Sequence, residues 1–384
     1  MYFSIILLFF ATENIFAFFN KKSFNYFLID KKLNSYEDRY IEYLEKYNKL
    51  ETFQKSDNLF SSFLFKINKK SKINKEKFKI FKKNYKFINN KNKELENNSF
   101  TLGTNFFFDE ISYENISNNV MQEIIPKNYT FENKYKKFLN NPWRFMNQIS
   151  QLEREFNWNN SIYLSPVKQQ GTCGSCWAFS TTNSLETFMR KNGYNVTRLS
   201  EQELVDCSKE NRGCNGGFMH KAFDFIIENK GLSSNDDYPY IGLTNDCKKE
   251  DCNINGNISK NVNITNVKGS ELLSYEFNVP ESILDRVISL KISPLCIAVD
   301  ASSIYFQYYK SGIIDIELNE TQHLNHAVLL IGYGIDDNGL YWIIQNSWGK
   351  YWGEDGFCRI RVKKGEGILL SNLYGVYPTK IRPI

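Results

Sequence analysis

Cys173 and Cys176 lie three positions apart in Gln169-Gln170-Gly171-Thr172-Cys173-Gly174-Ser175-Cys176-Trp177-Ala178-Phe179. A cysteine acts as a nucleophile only as its thiolate, and a free thiol titrates near ~8.5, so a working site must depress that value. Two devices are within reach. Residues 177–190 carry apolar positions at helical spacing, which predicts a helix with Cys176 at its positive end. The second device is a histidine that becomes imidazolium and pairs with the thiolate. The chain has three, His220, His323 and His326. His326 lies 150 residues after Cys176 and opens the apolar run His326-Ala327-Val328-Leu329-Leu330-Ile331, which reads as a strand. His323 reads as loop and His220 as a helix-surface residue. A third group that accepts a hydrogen bond from the imidazole would fix its tautomer, and Gln345-Asn346-Ser347-Trp348-Gly349 offers the amide of Asn346 as a candidate. Thiol, base and orienting amide together point to acyl transfer through a thioester. The Cys-x2-Cys pair also permits a redox or zinc half-site reading. No second Cys-x2-Cys stands at zinc-finger spacing, and no βαβ pattern surrounds this one.

These residues need a scaffold. A length of 384 residues suggests two or three domains, and 42% hydrophobic content can fill a sizeable core. The net charge of +5 hides an asymmetry: residues 1–150 carry 25 Lys+Arg against 16 Asp+Glu, and residues 151–384 carry 23 against 27. A basic arm for nucleic acid or membrane is one reading. Two parts of one chain that attract each other is the preferred one, because the acidic partner is in the same molecule. All eight cysteines follow residue 172, which favours a disulfide-bearing domain in an oxidising compartment. Eight Asn-x-Ser/Thr sequons begin at Asn97, Asn115, Asn128, Asn159, Asn195, Asn257, Asn263 and Asn319, and in so Asn-rich a chain they support secretion weakly. Phe3 to Ala11 is a short apolar run with Ala17 at a cleavage-like position, consistent with a signal peptide or, in competition, a signal anchor.

Residues 80–92 repeat at spacings of three and four, so Ile80, Phe81, Tyr85 and Ile88 are expected to bury one helix stripe. Phe81, Asn84, Ile88 and Asn92 match four of the six fixed positions of the propeptide helix pattern of cathepsin L-like zymogens, with Lys77 and Ile73 replacing its Arg and Glu. Gly103-Thr104-Asn105-Phe106-Phe107-Phe108-Asp109 fits the second propeptide pattern, Gly-x-Asn-x-Phe-x-Asp, at every fixed position. With Cys-Gly-Ser-Cys-Trp, Asn-His-Ala and Gln-Asn-Ser-Trp-Gly following in order, the chain resembles the papain-like, cathepsin L-like cysteine endopeptidases and their precursors. The likeness covers about 280 of the 384 residues.

The resemblance implies an α+β fold, with a helical lobe carrying Cys176, a β-barrel-like lobe carrying His326 and Asn346, and a helical inhibitory prodomain before them. Residues 1–19 would be the signal segment, 20–151 the propeptide and 152–384 the peptidase domain. It implies that Gln170 and the Cys176 backbone N–H form the oxyanion hole and that Trp348 shields the His326–Asn346 bond. It implies disulfides Cys173–Cys214 and Cys207–Cys247. The family's third bridge is missing, leaving Cys252, Cys296 and Cys358 over, the last two as buried free thiols. Gly216 and Gly217 would bind the substrate backbone. Phe218, Met219, Ala298, Leu324, Ala327 and Thr379 would line an S2 pocket for a bulky apolar side chain. The segment from Gly213 to Tyr240 has no room for an occluding loop, so an endopeptidase is expected. Expected partners are protein or peptide substrates, the chain's own propeptide and cystatin-like inhibitors, with no nucleic acid, no metal and no cofactor. A monomer in the secretory pathway is expected, in an acidic lysosome- or food-vacuole-like compartment or outside the cell. The rival is a papain-fold scaffold that binds without cutting.

Overall fold

The structure is a computed structural model that describes residues 36–47, 49, 74–96, 98–110, 152–196, 198–248, 267, 270–277, 283–316, 323–363 and 367–382. The signal segment, Ile73, Cys252 and the sequons at Asn97, Asn115, Asn128, Asn257, Asn263 and Asn319 lie outside these residues. Asn159 and Asn195 are exposed. No described helix is long and apolar enough to cross a membrane.

The chain divides into two compact units, Met1–Lys83 and Asn84–Ile384. In the first, helix α1 (Tyr36–Lys46) buries Tyr40, Ile41, Tyr43 and Leu44. The rings of Tyr40 and Tyr43 lie 4.9 and 5.2 Å from that of Phe81. Phe81 belongs to helix α2 (Lys75–Glu94), which Asn74 caps by accepting the N–H groups of Glu76 and Lys77. The buried face of α2 differs from the expected stripe. Phe81, Asn84 and Ile88 are buried, whereas Ile80 and Tyr85 are half-buried. An asparagine faces inward because its amide has a carbonyl to reach: Asn84 Nδ2 donates to Phe108 O at 2.8 Å. In the last turn of the helix, Asn92 donates to Leu102 O and accepts from Leu102 N.

The described strands of the second unit are β1 (Phe100–Leu102), β2 (Glu155–Asn157), β3 (Leu272–Phe277), β4 (Leu295–Val299), β5 (Tyr309–Ile314), β6 (His326–Asp336), β7 (Gly339–Gln345), β8 (Phe357–Arg361) and β9 (Gly375–Ile381). They form one sheet in the order β1-β5-β8-β7-β6-β4-β9-β3, with β2 on β6. β6 runs through nine buried residues before it reaches solvent, as a strand covered on both faces must. It pairs with β4, β7 and β2, which makes its start a rigid platform.

Helix α3 (Cys176–Lys191) is buried from Cys176 to Met189 and packs on β6. Its polar residues stay inside because each hydroxyl finds a carbonyl. Thr181 donates to Trp177 O, Thr187 to Asn183 O, Ser180 to Val328 O and Ser184 to Pro294 O. Helices α4 (Glu201–Cys207) and α5 (Met219–Glu228) cover its other side. Ser200 caps α4. α5 turns Met219, Ala222, Phe223 and Ile226 inward, the spacing of one helix face. Helix α6 (Ile283–Ile292) is fastened by the Trp158 indole, which donates to Leu290 O at 2.8 Å. The short turn α7 (Ile304–Gln307) leads into β5.

Candidate active site

The nucleophile, the base and the orienting amide come from three elements. Cys176 is the first residue of α3, His326 the first of β6, and Asn346 follows the last residue of β7. β6 and β7 pair with Leu329 opposite Gln345, which carries Asn346 to the imidazole. His326 Nε2 lies 2.8 Å from Asn346 Oδ1. That oxygen can only accept, so Nε2 carries the proton and Nδ1 is a bare base. Asn346 Oδ1 also accepts the Ser347 N–H, which fixes the amide's orientation. The Trp348 ring lies over the imidazole at 4.8 Å, and Phe306 meets its edge at 6.0 Å. Among the described residues, His326 Nδ1 has no hydrogen-bond partner.

Burial pushes the Cys176 thiol up to about 11, against backbone hydrogen bonds from Ala327, Trp177 and Cys176 that favour the thiolate. Of these, Ala327 is the residue that follows His326. Burial likewise pushes the imidazole down to about 4, against the Asn346 bond. A depressed thiol therefore requires the imidazolium as its partner. Loss of water outweighs the helix end, so each group taken singly is held neutral.

The loop from Lys168 to Ser175 is anchored from below. Lys168 Nζ lies 2.7 Å from Glu186 and 2.6 Å from Glu201, all three buried. Burial opposes the charge on Glu201, yet Lys168 and Arg198 hold its carboxyl below the ordinary range. At the top of the loop, Gln170 Nε2 donates to Cys173 O at 2.9 Å, and Gln170 Oε1 accepts from Ser347 Oγ at 2.6 Å. One amide proton of Gln170 remains for a ligand. Cys173 is bonded to Cys214, and Cys207 to Cys247. Cys176, Cys296 and Cys358 are free and buried.

Of the expected pocket residues, Ala298 and Ala327 are direct cross-strand partners, with Leu324 just before β6. Gly216, at φ +103, and Gly217 precede Phe218 and Met219, at the start of α5. Met219, Ala298, Leu324 and Ala327 are buried. Thr379 does not join them. β9 aligns Val376 with Cys296 and Gly375 with Ile297, so the next position, beside Ala298, is Tyr374. Thr379 lies five residues further along and pairs with Ser274 of β3 instead. Tyr374 hydrogen-bonds His220 Nδ1 at 3.0 Å, and the His220 ring lies 5.4 Å from Phe218. His220 is thus half-buried behind the pocket wall rather than a plain surface residue. Among the described residues, no group of acidic, histidine or cysteine side chains could hold a metal ion.

The family described as papain family cysteine protease matches residues 152–376. The chain is similar to germination-specific cysteine protease 1 of Arabidopsis thaliana, 39% identical over 236 residues, 59% of this chain and 57% of that protein. It is similar to human cathepsin L2, 38% identical over 219 residues, 56% of this chain and 62% of that protein. The chain thus spans less than two thirds of the length of these relatives. Recombinant stem bromelain precursor has a similar solved structure, with a TM-score of 0.65 and 30% identity over 90% of this chain and 98% of that one.

Proposed function

The chain belongs to the papain family cysteine proteases, and we propose that it is a cysteine endopeptidase made as an inactive precursor. The observation that carries this reading is the His326 imidazole. Its Nε2 is tied to Asn346, its Nδ1 is unpartnered among the described residues, and the backbone of the next residue, Ala327, favours the thiolate of Cys176. A base held with its free lone pair beside a thiol is arranged for proton transfer. Moving one proton from Sγ to Nδ1 creates two opposite charges in contact, and their attraction in a buried site offsets the loss of water.

Sγ then attacks the peptide carbonyl. The oxyanion receives the free Gln170 N–H and the Cys176 backbone N–H. Collapse breaks the C–N bond, and His326 gives its proton to the leaving amine. Water, deprotonated by His326, hydrolyses the thioester and returns the proton to Sγ. The S2 pocket takes a bulky apolar side chain, since Phe218, Met219, Ala298, Leu324 and Ala327 bring no charge to it. Tyr374 replaces Thr379 as its sixth member.

The precursor reading draws on the segment 99–109. β1 pairs with β5, Phe108 packs on Tyr308 at 5.4 Å, and Asn105 donates to Gln307 O at 2.7 Å. The likeness to a protease precursor along 90% of the chain supports it too. Residues 20–151 would be the propeptide and 152–384 the enzyme. The basic first part and acidic second part would attract at neutral pH, and protonated carboxylates would weaken that hold in an acidic secretory compartment.

The test is to incubate the full chain at about pH 5 with reductant beside Cys176→Ala and follow a Leu- or Phe-containing fluorogenic peptide. Thiol-dependent hydrolysis that appears as the chain shortens, and is absent in the variant, supports the reading. Silence after an added protease has removed the propeptide from folded protein moves it to a non-cutting scaffold.

A further inference from the structure

Ser175 occupies the N-cap of α3 but does not cap it. A serine there ordinarily accepts an N–H of the first turn. Here its Oγ lies 2.7 Å from the hydroxyl of Tyr240. Tyr240 donates its single proton to the backbone carbonyl of Gln170, also at 2.7 Å. Ser175 must therefore be the donor to Tyr240, and the bonds form a directed chain from Ser175 Oγ through Tyr240 Oη to Gln170 O. Chains of this kind strengthen one another in a buried setting.

The two ends of the chain matter for catalysis. Gln170 carries the side-chain amide, and Ser175 immediately precedes Cys176, whose backbone N–H is the second oxyanion donor. We propose that Tyr240 is a positioning residue whose hydroxyl sets the spacing of the two oxyanion donors. This rests on the proteolytic reading of the site. Tyr240 comes from a different stretch of chain than the loop it spans, and its ring is fixed edge-on to Phe179 at 4.8 Å. The Cys173–Cys214 bridge pins the loop between these two points, so loop movement at either end would open the donor gap. Burial pushes the phenol up to about 12, so it stays a neutral donor across the working pH range.

Tyr240→Phe keeps the ring on Phe179 and removes only the bridge. Its kcat on a Leu-containing fluorogenic peptide should fall about tenfold, with KM within about twofold, the size of one lost hydrogen bond. Alkylation of Cys176 by iodoacetamide needs the thiolate but no oxyanion hole, so its rate and pH profile should stay within about twofold. In a Gln170→Ala background the further loss from Tyr240→Phe should shrink to about twofold or less. Ser175→Ala, which cuts the chain from its other end, should repeat the pattern. The inference is overturned by wild-type kcat in Tyr240→Phe, by a loss undiminished in Gln170→Ala, or by alkylation that falls in step with kcat. A wild-type protein silent on the peptide sinks the proteolytic reading, and this inference with it.

Discussion

The seam between β1 and β5 and the wider seam that gathers the loop from Lys168, α3 and α4 against β6 and the end of β7 are bonded in different ways. Along the first, the groups on the β5 side are mostly main chain. Gly103 N donates to Tyr308 O, Ser99 Oγ to Ile313 O, and Ile313 N returns a bond to Ser99 O. Along the second, nearly every bond that matters is a buried side chain: Asn346 to His326, Ser180 to Val328 O, Lys168 to Glu186 and Glu201. A seam that reads backbone shape tolerates changes of side chain and can come apart as a unit. A seam that reads side-chain identity cannot lose one member without leaving another buried and unpaired.

The sharpest way to break the second seam alone is Gln170→Ala. It should lower kcat on a peptide substrate by ~10²–10³-fold while the precursor stays inhibited. The first seam has its own single-atom test at Gly312, which sits at φ +94 with its missing Cβ 2.0 Å from Ser99 O. Gly312→Ala should leave no room for β1, so the unprocessed chain should show peptide hydrolysis at least about tenfold above the wild-type precursor. The strain of a non-glycine residue at that φ, roughly 1–2 kcal/mol, should appear separately as a lower Tm of the processed enzyme.

Acid should work on the second seam through His326. Burial lowers its pKa from 6.5 to about 4, so between those values the unfolded chain binds more protons than the folded one. Stability should therefore be whole above about pH 6.5 and fall as pH drops toward 4, by up to about 3 kcal/mol. Thermal melts of Cys176→Ala across that window should show the slope, and His326→Asn in the same background should flatten it. The smallest effect is expected at Asn92, which braces β1 from behind the β1–β5 seam. Asn92→Ala removes both bonds to Leu102, costs about 1–3 kcal/mol, and should raise precursor leakage only a fewfold, read in the same peptide assay.

Much of the second seam was legible in the sequence. The helix expected over residues 177–190 runs from Cys176 to Lys191, and His326 does begin a strand. Local spacing is enough for that, because helix and strand periods are short-range signals. The S2 member at Tyr374 was not legible. It depends on which residue of β9 falls beside Ala298, a cross-strand register that spacing along one segment of chain does not carry. Lys168 was not legible as a buried cation, since its two carboxylates stand 18 and 33 residues away. Asn84 read only as a match to the propeptide pattern, and what holds it inward was not legible, because its partner is a backbone carbonyl, which no residue type announces. The thiol's raised pKa has the same origin: a helix end is visible in sequence, and depth of burial is not.

Both disulfides among the described residues fall between Cys173 and Cys247, whereas the sheet that carries His326 holds only the buried thiols Cys296 and Cys358. Reducing conditions therefore act on one wall of the cleft and spare the other. A reductant strong enough to open the bridges would let the nucleophile's wall drift while the wall bearing the base kept its shape. Activity lost that way would be lost as alignment, and reoxidation without refolding of the sheet should be enough to restore it.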